Sequence, residues 1–126
     1  MKSELSLGDL IYLETSDINL VGFYRGISIY KNKYEPIDEL LSDDEQFGFI
    51  SMDIIYRGGY ITDHPTALMS VTKIQKISKE ELSEYHFICK AQVLEWFNQV
   101  NLYTCLTHES KAIREYARRQ LTSLCY

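Results

Sequence analysis

Proline is scarce in this chain, with only Pro36 and Pro65 among 126 residues, and six glycines are too few for a low-complexity or collagen-like polymer. Positive charge is also in the minority: 13 Lys and Arg stand against 18 Asp and Glu, a net charge of −5. A general nucleic-acid binder carries a basic excess, so this balance argues against DNA or RNA as the partner, though not against a local basic patch. No run approaches the 18 apolar residues of a membrane span, and no membrane association is expected. Glu4, Asp9, Glu14 and Asp17 interrupt the first twenty residues and leave no apolar stretch for a secretory signal. Cysteine is limited to Cys89, Cys105 and Cys125, an odd number. A disulfide framework is therefore not expected, and a reducing, cytoplasmic setting is.

What remains is an ordinary globular composition, 45% hydrophobic and 25% charged. The length suits one domain, residues 1–126, able to bury enough surface to fold without staples. Aromatics are plentiful: ten Tyr, five Phe and one Trp. Tyrosine joins an apolar body to a hydroxyl tip, which fits both half-buried strand positions and binding surfaces.

The first half, about residues 9–77, reads as strands. Asp9–Thr15 is short and rich in β formers. Ile18–Lys31 places Val21, Phe23, Ile27 and Ile29 on one face by the two-residue period. Arg25 interrupts that face between Gly22 and Gly26, which predicts a bulge or bend that turns it outward. Phe47–Arg57 alternates best, with Ile50, Met52, Ile54 and Tyr56 on one side and Ser51, Asp53 and Arg57 on the other. Gly58-Gly59 predicts a two-residue hairpin turn, Tyr60–Thr62 a return strand, and Asp63-His64-Pro65-Thr66 a punctuating loop before a last strand over about 67–77. The segment Glu35–Glu45 carries six acids, including Asp43 and Asp44, and reads as a solvated loop or a contact surface for a basic partner.

The second half, about residues 79–124, reads as helices. Ser78 and Glu81 fit a capping box, after which Leu82, Tyr85, Cys89, Val93, Phe97 and Val100 recur every three or four residues. A strand over 85–89 is the alternative. A final helix from Thr107 or His108 carries Ile113, Ala117, Leu121 and Leu124 on one stripe and Lys111, Arg114 and Arg118 on another. The fold expected is α+β, an N-terminal antiparallel sheet with C-terminal helices packed on it. Strands bent at glycines and a Gly-Gly hairpin over residues 8–77 resemble a small SH3-like or Sm-like barrel. That is a likeness of strand count and spacing, and it transfers no function.

His86, Cys89, Cys105 and His108 form two pairs of nitrogen and sulfur donors whose spacing is compatible with structural zinc. A continuous helix would hold Cys89 about 16 Å along its axis from the other pair, at 1.5 Å per residue, so no metal or other cofactor is expected. No Gly-x-Ser-x-Gly elbow or phosphate-cradling glycine loop occurs, and Asp63-His64 reads as turn chemistry, so no enzymatic activity is expected. The expectation is a non-enzymatic interaction protein of the small inhibitor, immunity or anti-defence type, with Tyr24, Arg25, Tyr56, Arg57 and Tyr60 as anchors for a protein partner. The alternative is a small-molecule or nucleotide binding module, in which arginines and the basic stripe hold phosphates while tyrosine rings stack on a base. On its own that stripe fits an anion or RNA-backbone contact, or a dock for the chain's own acidic loop in a homo-oligomer.

Overall fold

The computed structural model describes residues 5–29, 48–57 and 59–124. The acidic segment with Asp43 and Asp44 lies outside the described residues. Five strands, β1 (Leu10–Thr15), β2 (Asn19–Ile29), β3 (Gly48–Tyr56), β4 (Gly59–Ala67) and β5 (Val71–Lys76), form one antiparallel sheet in the order β4-β3-β2-β1-β5. A 3-10 turn, Leu68–Ser70, carries the chain from β4 to β5. Two helices follow, α1 (Lys90–Gln99) and α2 (Lys111–Leu124), each preceded by a 3-10 segment, Lys79–Glu84 and Thr104–Thr107. The fold is α+β, as expected. The ladders end at β4 on one side and β5 on the other.

Alternation sends apolar side chains to both faces of the sheet. Leu10, Tyr12, Val21, Phe23, Ile55 and Ile77 cluster with Leu82, Val93, Cys105, Ala112, Ile113, Tyr116 and Ala117 beneath the helices. Phe23 is central: its ring lies 5.1 Å from Tyr116, 5.7 Å from Trp96 and 6.0 Å from Phe97, centroid to centroid. Burying such a side chain contributes about 1.5–3 kcal/mol. On the opposite face Ile11, Leu13, Leu20, Tyr24, Ile50, Met52 and Ile54 form a second cluster with Leu68, Val71, Ile74 and Ile88.

Four local expectations change. The ladder between β2 and β3 shifts at Arg25, where Gly26 takes a φ of 136°, so Ile27 is partly exposed instead of continuing the face of Val21 and Phe23. Asp63-His64-Pro65-Thr66 is not a loop. It lies inside β4, an edge strand, where a proline costs no ladder partner on its open side. Tyr56 pairs with Gly59, closing the hairpin one residue earlier than a Gly58-Gly59 turn. The capping box of Ser78 and Glu81 forms, but it starts a 3-10 segment and no long helix. Residues 85–88 run on without helix or strand because their side chains divide between faces: Tyr85 and Phe87 pack in the helix-side cluster, and Ile88 in the other. Cys89, at a φ of 58°, then starts α1.

Candidate functional site

The β3–β4 hairpin and the turn before α2 meet at Asp53. The sequence pattern sets Asp53 outward, yet its exposure is 0%. Asp53 shares a face with its partner Phe23 and with Ile55, and that is the face the helices cover. Two irregularities bring its partners: β2 inserts Arg25 between the residues paired with Met52 and Ser51, and β4, opposite Asp53, inserts a residue between those of Ile61 and His64, with Asp63 at a φ of 60°. Bulges re-aim neighbouring groups, and here both aim at one carboxylate. Asp53 Oδ1 accepts the Asp63 N–H at 2.7 Å, and Arg25 Nη1 stands 3.3 Å from Oδ2 and 3.5 Å from Oδ1. Ser110 donates its hydroxyl to Oδ2 and accepts the Ile113 N–H at 3.0 Å. A buried carboxylate with this many donors is a joint between sheet and α2. It ties the hairpin to the helix layer.

Beyond that joint the hairpin separates the expected anchor residues. Tyr24, at 8% exposure, belongs to the second cluster, and burial pushes its hydroxyl pKa up. Arg25 is placed differently. At 29% side-chain exposure it turns toward Asp53 and Asp63 and is occupied by them. Tyr56 and Arg57 are exposed at the hairpin end, with the Arg57 guanidinium carbon 5.5 Å from the Tyr56 ring centroid. Ile61 is exposed on the same face, because its partner Ile54 lies two residues from Tyr56.

Tyr60 faces the other way, toward the helices. Its hydroxyl donates to Glu109 at 2.6 Å, which raises its pKa, and its ring lies 4.7 Å from His108. Two adjoining hollows of about 340 and 380 Å³ flank this contact, sharing Trp96 and Gln99. Cys105 and His108 line the second hollow. Burial pushes the Cys105 thiol pKa up and, above all other influences, the His108 pKa down. His108 Nδ1 also accepts the Ser110 N–H at 2.9 Å, which leaves the hydrogen on Nε2 in the neutral ring. A neutral thiol beside a neutral imidazole lacks the thiolate–imidazolium character of a nucleophilic pair. Among the described residues, which include His86 and Cys89, no three His, Cys, Asp or Glu side chains converge as a metal site.

The basic stripe is divided too. Arg114 donates to the carbonyls of His108 and Glu109, bracing the turn before α2. Arg118 pairs with Glu115 and Lys111 is exposed. Asp53, Ser110, Trp96 and Glu109 went unnoticed as site residues in the sequence. A signal existed for Ser110: a serine three residues before Ile113, the first residue of the apolar stripe, is an N-cap pattern. Comparison with protein-family models, curated proteins and solved structures gives no match to this chain.

Proposed function

We propose that this protein is a non-enzymatic binding module that recognises a protein partner through the end of the β3–β4 hairpin, in the manner of a small inhibitor, immunity or anti-defence protein. The observation that carries this reading is the exposed trio Tyr56, Arg57 and Ile61 on a hairpin pinned midway by Asp53 and beside its turn by the Tyr60–Glu109 bond. Tyr and Arg are the residue types that most often dominate binding energy, and a pinned hairpin reduces the entropy lost on docking. With a net charge of −5, the chain attracts a basic partner and raises its rate of encounter. A small SH3-like or Sm-like barrel is the architecture proposed for the sheet, supported by the apolar filling of its helix-free face with Ile11, Leu13, Leu20, Ile50 and Met52. The reading places the protein in the cytoplasm, where a buried thiol such as Cys105 stays reduced.

Native mass spectrometry of the protein isolated from its own host tests this. One protein partner at fixed stoichiometry, lost from the Tyr56→Ala/Arg57→Ala variant, supports the reading. A retained nucleotide without a protein, or a complex indifferent to the substitutions, overturns it.

A further inference from the structure

The geometry points to a second, independent binding site, for a phosphate-type anion, in the groove between the exit of β5 and the outer side of α2. The groove encloses about 600 Å³ and is lined by Lys76, Lys79, Arg118 and Arg119, in a chain that is acidic as a whole. These cations come from two separate parts of the sequence and meet only in the fold. Asp9 and Glu80 also line the groove, so the balance among these charges decides the sign.

Asp9 is already satisfied. Its carboxylate is almost fully buried and accepts the Ser6 N–H at 2.8 Å and Arg119 Nη1 at 2.6 Å, with Lys76 Nζ at 3.7 Å. Asp9 therefore acts as a peg that fixes the Arg119 guanidinium and draws Lys76 to the groove. Glu115 holds Arg119 Nε at 3.3 Å and pairs with Arg118 through both Nε and Nη2. Each guanidinium has five N–H donors, so both retain free ones after these bonds, held in place beforehand. Lys79 has no ion pair among the described residues. Ser123, Gln120 and Tyr116 add neutral side chains to the lining, and the Tyr116 hydroxyl, whose pKa is pushed up to about 12, mainly by burial, stays protonated. Planar forks plus an ammonium suit tetrahedral oxyanions, which accept several charge-assisted bonds at once.

The same chemistry fits free inorganic phosphate or diphosphate and the phosphate of a nucleotide. The test is an NMR titration of the full chain with sodium phosphate, sodium diphosphate and AMP, at ionic strength held constant with chloride. Saturable shifts confined to residues 76–80 and 116–123 are expected. Lys79→Gln and Arg118→Gln, two exposed positions whose thermal melting should match wild type, are each expected to weaken binding about tenfold. Diphosphate binding more tightly than AMP assigns the site to a free anion, and the reverse order assigns it to a nucleotide. Shifts that never saturate, that spread equally over Arg57 and Lys111, or that survive both substitutions overturn the inference. It stands apart from the hairpin reading, because Tyr56→Ala/Arg57→Ala should leave this titration unchanged.

Discussion

The Ser110 hydroxyl donates a hydrogen bond to Asp53 and accepts one from the Ile113 N–H at 3.0 Å, so one side chain both caps α2 and fastens it to β3. Neither residue is accessible to a ligand. Their role is to make the hairpin and the helix layer move together, and that rigidity is what the hairpin end contributes to recognition.

Ser110→Ala removes the cap and one donor to a buried carboxylate. The expected loss is about 2–3 kcal/mol in urea unfolding. Asp53→Ala leaves Arg25, Ser110 and the Asp63 N–H without their acceptor and should cost about 3–5 kcal/mol. The two losses should be less than additive in the double variant, since each removes the same bond. Independent, additive losses would deny the joint.

Gly22, in β2, packs tightly against β3. A Cβ there would meet the Asp53 carbonyl oxygen at 2.7 Å and Ile54 Cγ2 at 2.8 Å. Backbone at that distance must shift, so Gly22→Ala should cost about 1–3 kcal/mol. Gly59→Ala has open space around it and serves as the comparison, with a change of about 0.5 kcal/mol or less. Equal melting temperatures for the two variants would contradict the packing described.

His108 confers a pH dependence of definite sign. Burial lowers its folded pKa below 6.5, so the unfolded chain binds the proton more readily. Stability attributable to this residue is therefore complete above about pH 6.5 and is lost as pH falls through that value toward the lower folded pKa. Protonation would also place a hydrogen on Nδ1, which now accepts the Ser110 N–H. Urea midpoints between pH 7.5 and 5.5 should fall more steeply for wild type than for His108→Gln. Parallel slopes would refute it.

Cys105 should be slow to react. Its thiol is buried and its pKa raised, so the thiolate fraction and the access are both low. Iodoacetamide labelling at pH 8, read by peptide mapping, should modify half-buried Cys89 well before Cys105 in the folded protein and both equally in urea. Preferential labelling of Cys105 when folded would contradict this.

The sheet was legible because alternation in residues 48–56 and the glycines near Arg25 are local signals, and local signals survive in a single chain. The long helix over 79–100 was misread for a different reason. Tyr85, Phe87 and Ile88 satisfy helical spacing, but two buried faces of the sheet compete for them, and only an irregular segment serves both. Asp53 was set outward by strict alternation. Its face, shared with Phe23 and Ile55, is covered by a helix layer that brings a serine 57 residues away, a relationship that no local window contains. The same limit scattered the anchors: Tyr24, Arg25 and Tyr56 look alike as exposed aromatic and basic residues until register assigns each a face.

The most direct measurement is the affinity of the partner recovered from the host, determined by calorimetry with wild type and with Tyr56→Ala/Arg57→Ala. At about 2 kcal/mol or more for each anchor, the double variant should bind roughly 1,000-fold more weakly while melting at the wild-type temperature. Equal affinity in two equally folded proteins would contradict the claim that the hairpin end does the binding.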